Sequence, residues 1–171
     1  AARRGGAPGA SCPTPRAGLR ARVGGARPSE VICINSLTGN LHLMMATFCR
    51  ATKSRCKSLM EEPACPSDTY AIKTQIAHHG FDPKEALVLA RPREGEFTVR
   101  HDDIETALEK HGDQIALVLI AGVNIFTGQL FDVTKITAAA QKRGITVGID
   151  LAHAAGNVCT SAASKSFEGG I

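Results

Sequence analysis

The stretch TVGIDLAHAAGN, residues 146–157, runs apolar through Val147 and Ile149, breaks at a lone carboxylate, Asp150, and carries His153 three residues later. An acid in partly apolar surroundings is costly unless a cation or a hydrogen-bond donor meets it. Asp150 therefore either caps a helix that opens at Leu151 or serves as counter-charge for a protonated ligand nitrogen. A second polar turn, NSLTGNLH at residues 35–42, places Thr38 between a strand pattern and a helix pattern. Free backbone N–H groups and a hydroxyl at a helix start make a seat for an anion, typically phosphate, or simply a cap. The same two readings hold for CPSD, residues 65–68, where Ser67 and Asp68 follow a proline.

The elements that must position these residues alternate between strand and helix. Strand patterns cover EVICIN (30–35), CKSLME (56–61), EALVLARP (85–92), QIALVLIAGV (114–123) and ITVGID (145–150). The fourth is a continuous apolar run, as expected of a strand buried on both faces. Helix patterns open at or near Thr38, are capped by Ser67 or Asp68 and stopped at Gly80, run through HDDIETALEKHG (101–112) to a stop at Gly112, and run through DVTKITAAAQKRG (132–144) to a stop at Gly144. This order predicts an α/β fold, a mostly parallel sheet with helices on both faces. Ligands of such sheets collect beyond the carboxyl ends of the strands, which is where Asp150 falls.

The rest of the chain is poor in chemistry. Residues 1–28 hold six arginines and no acid, so the formal charge of +4 resides there and the remainder is net acidic. With almost no large apolar groups, this stretch is expected to be a disordered tail. Its arginines suit an organelle-targeting leader, but its Gly and Pro spoil the amphipathic helix such a leader needs. Aromatics are 4% of the chain and Trp is absent, which argues against a nucleic-acid-binding domain. Six scattered cysteines form no zinc-type pattern with the six histidines, so reduced thiols and no metal are expected, as in a cytoplasmic protein. No run approaches a membrane span. Residues 29–158 make the folded unit, and 159–171 read as an irregular tail.

A phosphate seat at one strand end and a carboxylate at another together suit pyridoxal 5'-phosphate, whose ring accepts electrons while its nitrogen stays protonated. The phrases NSLTGNLHLMM, PSDTYAIKTQ, RPREGE, GVNIFTGQLFD and GIDLAHAAGNV resemble the kynureninase family of fold-type-I pyridoxal-phosphate enzymes, from about residue 30 to residue 158. The resemblance implies the central part of an aspartate-aminotransferase-like large domain, found in homodimers. It implies hydrolysis of L-kynurenine or 3-hydroxykynurenine, the former giving anthranilate and L-alanine, in the tryptophan breakdown that feeds NAD synthesis. It places Leu37 and Thr38 on the cofactor phosphate, Ser67 and Asp68 in a cofactor-binding tetrapeptide, Asp150 on the ring nitrogen and His153 in the same cofactor-contacting motif.

Three departures accompany it. Cys65 stands where the family has a ring-stacking Phe, and Ala121 where it has a Ser. The family's Schiff-base lysine follows the aspartate by roughly 25 residues in a Ser-x-Lys-Tyr phrase, whereas Lys165, the only lysine after Asp150, comes earlier and lacks the Tyr. The catalytic residue is therefore left unassigned. The alternatives are an inactive fragment that binds the cofactor weakly or acts as an interaction module, and a pyridoxal-phosphate lyase or desulfurase.

Overall fold

The structure is a computed structural model that describes residues 35–158. The expected strand at 30–35 and both tails, with Lys165, lie outside those residues apart from Asn35. Four strands, β1 (Lys57–Glu61), β2 (Leu87–Ala90), β3 (Ile115–Ala121) and β4 (Thr146–Asp150), form one sheet in the order β2-β1-β3-β4. Every pairing is parallel. Parallel neighbours need crossovers, and these are helical: α2 (Pro66–His78) leads from β1 towards β2, α4 (His101–His111) from β2 to β3, and α5 (Val133–Gln141) from β3 to β4. Helix α1 (Leu37–Phe48) precedes the sheet, and α3 (Pro83–Ala86) is a single turn.

The strand β3 is apolar throughout because each face meets a different pair of helices. Val118 and Ile120 pack with Ile104 and Leu108 of α4 and Ile136 and Ala140 of α5. Leu117 and Leu119 pack with Met45 of α1, Cys49 at its C-cap, and Ala71 and Ile72 of α2. The expected architecture, helices on both faces of a parallel sheet, is what the chain adopts. At the amino end of the sheet the Arg55 guanidinium donates to the carbonyls of Arg143 (2.9 Å) and Gly144 (2.8 Å), which ties the entries of β1 and β4 together.

Local signals moved several boundaries. α1 opens one residue earlier than Thr38, because Asn35 takes a left-handed turn (φ 36°) and leaves the Ser36 hydroxyl as the cap, accepting from Gly39 N–H at 3.3 Å. α2 is capped by neither Ser67 nor Asp68. Pro66 fills its first position, where no N–H is required, and both residues lie within the first turn. β2 is shorter than its apolar pattern because Asp82 caps a turn at Lys84 N–H (2.8 Å), with Pro83 as first residue. Gly112 does end α4, as its C-cap, but in a right-handed helical conformation that carries the chain into a 3₁₀ turn, Gly112–Gln114. Gly80 and Gly144 do end their helices with positive φ, 83° and 66°.

Leu108 is fully buried between α4 and the sheet. Leu108→Ala should cost about 2–5 kcal/mol, read from urea unfolding; a loss below about 1 kcal/mol would mean that this face of the sheet is not packed as described.

Candidate functional site

The chain order β1-β2-β3-β4 and the spatial order β2-β1-β3-β4 differ in one respect. From β1 the chain steps outward to β2, then returns across β1 to β3 and continues to β4. The crevice between β1 and β3 is thus the point where winding reverses, and loops on its two sides diverge. The ladder shows it: β1 stays paired with β2 as far as Glu61 and Ala90, whereas its last pair with β3 is Leu59 and Val118.

Three carboxyl side chains converge above this parting: Glu61 at the end of β1, Asp68 in the first turn of α2 and Asp150 at the end of β4. All three are buried, with 2%, 4% and 9% exposure. Burial is the largest influence on Glu61, opposed by hydrogen bonds from its own N–H and that of Ala121, and reinforced by the charges of Asp68 and Asp150. Its carboxyl is pushed up to about 7. Burial likewise raises Asp68, and the charge and hydrogen bonding of Asp150 raise it further, to about 6. Glu61 and Asp68 therefore keep their protons to higher pH than free carboxyls do, and a protonated Asp68 is hydrogen-bonded to Asp150. Among the described residues no group of three His, Cys, Asp or Glu side chains has the arrangement of a metal site.

Asp150 also serves the local chain. Its Oδ1 accepts from Ala152 N–H at 2.8 Å. No regular helix follows; residues 152–157 are turns, with Ala155 N–H donating to Leu151 carbonyl at 2.8 Å. The capping reading of Asp150 and the ligand reading are thus compatible, since one carboxyl both starts the turn and meets Asp68. Gly122 permits this turn to come close: a Cβ there would lie 2.9 Å from both Ala154 and Leu151 side-chain carbons.

A groove of about 700 Å³ opens beside Asp150, between α1 and the α1-facing side of β3 and β4. Leu37, Asn40 and Met44 border it on one side and Gly148, Asp150 and Leu151 on the other. The two spots singled out from sequence, the start of α1 and the end of β4, therefore face one cavity of a size that suits a cofactor. Thr38 lies next to Leu37 in the exposed first turn and does not line the groove. Ser67 bonds Cys65 Sγ (3.1 Å) and Asp68 Oδ1 (3.3 Å) and so enters through Asp68. His153 is exposed on the turn, its carbonyl accepting from the Asn157 side chain at 3.1 Å, and does not line the groove. Among the described residues no lysine borders the groove.

Two residues that sequence reading passed over hold the site's frame. Glu61 received no role, although a carboxylate ending an apolar strand was the very signal read at Asp150. Asn124, also buried, joins the loops after β1 and β3: its Nδ2 donates to Pro63 carbonyl at 2.6 Å while Oδ1 accepts from the N–H groups of Phe126 and Thr127, each at 3.0 Å.

The chain is 54% identical over 138 residues to a kynureninase of Nematostella vectensis, 51% over 138 residues to one of Myxococcus xanthus, and 47% over 148 residues to one of Yarrowia lipolytica. These matches cover 81%, 81% and 86% of this chain. The chain is homologous to kynureninases. It spans about a third of the length of these relatives, 30%, 32% and 34%. No family model matches. Among solved structures, a lysine-to-alanine variant of C-DES with glycine covalently linked to its PLP-cofactor superimposes with a TM-score of 0.64 at 16% identity, covering 82% of this chain and 36% of that one. A cysteine desulfurase of Thermococcus onnurineus does so at 0.58 and 17% identity, covering 78% and 31%. These likenesses establish the fold, whereas the kynureninase matches are at about 50% identity. The lyase and desulfurase alternatives thus rest on fold alone, and nothing favours the inactive-fragment alternative.

The raised carboxyls give a pH signature. A group whose folded value lies above its unfolded one stabilises the fold at low pH and loses that contribution as pH rises through the folded value. For Asp68 the window is from the ordinary 3.8 up to about 6. Between pH 4 and 7 the parent should lose roughly 2 kcal/mol relative to Asp68→Asn, measured as urea-unfolding free energy. Parallel profiles for the two proteins would show that Asp68 holds no extra proton in the fold.

Proposed function

We propose that residues 35–158 form the cofactor-binding core of a kynureninase that cleaves L-kynurenine to anthranilate and L-alanine with pyridoxal 5'-phosphate. The observation that carries the reading is that the start of α1 and Asp150 border one groove, in a chain about half identical to kynureninases over most of its length. The residues present suit the group. Backbone N–H groups in the first turn of α1, those of Leu37 and Thr38, would hold the phosphate, with the Thr38 hydroxyl beside them. Asp150 would meet the ring nitrogen.

When bound, the group supplies an electron-accepting ring that stabilises negative charge developing on the substrate. The chain's own residues set that property. Asp150 holds a proton at the ring nitrogen, and the Ala152 N–H on its Oδ1 fixes the carboxyl's orientation. Asp68, held by the Ser67 hydroxyl, donates to Asp150 while it keeps its proton, up to about pH 6. Helix α1 and strands β3 and β4 wall the groove with Leu41, Met45, Leu117 and Leu119, an apolar lining that strengthens every charge interaction inside it. His153, on the turn that Asp150 starts, is assigned a cofactor contact by its place in the motif. The lysine that would attach the cofactor is not among the groove residues described here, and Lys165 lies outside the described residues.

We further propose that the protein works as a cytoplasmic homodimer on L-kynurenine or 3-hydroxykynurenine. Among the described residues no helix is long and apolar enough to cross a membrane.

With pyridoxal 5'-phosphate titrated into the protein, Asp150→Ala should weaken binding at least tenfold and abolish anthranilate release from L-kynurenine. Cofactor affinity that ignores the substitution would sink the assignment of Asp150 to the ring nitrogen.

A further inference from the structure

We propose that Glu61 is a positioning residue of this site: its buried carboxyl spans the crevice where β1 and β3 part and sets the spacing between the end of β1, which leads to Asp68 in α2, and the end of β3, which pairs with Asp150. The inference rests on the cofactor reading for its functional meaning, but its geometry stands independently. The β1–β3 ladder ends at Leu59 and Val118, three residues short of Ala121. The neighbouring N–H, of Gly122, points the other way and donates to Asp150 carbonyl at 2.8 Å. In place of a strand carbonyl, Ala121 N–H meets the Glu61 carboxyl, 3.4 Å from both oxygens. One side chain thus does for β1 and β3 what the backbone has ceased to do, at the residue of β3 that pairs with Asp150.

A buried acid is an expensive way to satisfy one N–H, and Gln or Asn would do so without charge. What an acid adds is a variable charge facing Asp68 and Asp150, the titratable groups that bear on it from α2 and β4. A ligand cation at Asp150 stabilises the ionised form of every carboxyl nearby, so its binding draws protons from the cluster. Affinity for such a ligand should then rise with pH until Glu61 is ionised in the free protein, about pH 7. The opposing effect of the ligand's phosphate is weaker, because that group lies at the far end of the molecule.

The test uses the parent, Glu61→Gln, Glu61→Ala and Asp150→Ala, with pyridoxal 5'-phosphate as the probe from pH 5.5 to 8.5 and amide hydrogen exchange without it. Gln keeps an acceptor for Ala121 and loses the titration. It should bind within threefold of the parent at pH 6, and the parent's affinity should pull ahead of it by at least threefold as pH passes 7. The difference between the two profiles isolates Glu61, since every other group is common to both. Glu61→Ala should bind at least tenfold more weakly, and its Ala121 amide should exchange at least tenfold faster while that of Leu119 is unchanged. Unaltered Ala121 exchange in Glu61→Ala, or superimposable pH profiles for the parent and Glu61→Gln, would overturn the proposal. Should Glu61→Ala fail to fold, the comparison of Glu61→Gln with the parent decides alone. Equal binding by the parent and Asp150→Ala would instead overturn the cofactor reading, leaving Glu61 to be judged by amide exchange.

Discussion

Main-chain pairing between β1 and β3 ends at Leu59 and Val118, short of the carboxyl ends of both strands. This follows from topology: α2 carries the chain outward from β1, and α4 brings it back on the opposite face, so the loops above the two strands diverge. Buried N–H and C=O groups still require partners. Side chains supply them, Glu61 to the Ala121 N–H and Asn124 to the Pro63 carbonyl. The site is the part of the fold where secondary structure stops satisfying itself.

Closing that gap with acids has an electrostatic consequence. The arginines of this half of the molecule do not enter the cluster; Arg91, Arg93 and Arg100 pair with Glu62, Asp103 and Glu96 on the exposed side, where such pairs contribute little. With no cation among them in the described residues, Glu61 and Asp68 keep their protons to higher pH than free carboxyls do. A cationic group that arrives at Asp150 therefore meets carboxyls that no fixed base among the described residues has paired, and it favours their ionised form. The same side chains that stabilise the parted strands leave the site complementary to a protonated ring nitrogen.

Much of this was legible in the sequence, for reasons that differ by element. The β3 segment stood out because both its faces are covered, and Asp150 because it interrupts an apolar run at a strand end. Ser36 was overshadowed by Thr38, since either hydroxyl could cap and only the left-handed turn at Asn35 decides between them. Asp82 and Pro83 spelled a helical turn that the apolar residues after them obscured. Glu61 was hidden by its neighbour: two adjacent glutamates look like a solvated end, yet Glu62 reaches Arg91 in solvent while Glu61 turns inward. The convergence of Glu61, Asp68 and Asp150 depends on three crossovers, and no local pattern encodes it.

The departures from the family pattern look different once the geometry is known. Residue 121 is a Ser in kynureninases by the resemblance, and Ala here removes a hydroxyl from the end of β3. The main chain of Ala121 still presents its N–H to Glu61, and the following N–H still holds the Asp150 carbonyl. Neither contact depends on the side chain, so the frame around Asp150 survives the substitution and only a direct contact of the lost hydroxyl is forfeited. Cys65 is a different case. It occupies the cap position of α2 without capping it, and its thiol is engaged by the Ser67 hydroxyl. A thiol keeps the local turn but offers no aromatic face to a ring, a loss on the order of 1 kcal/mol in stacking for any heterocycle bound beside it.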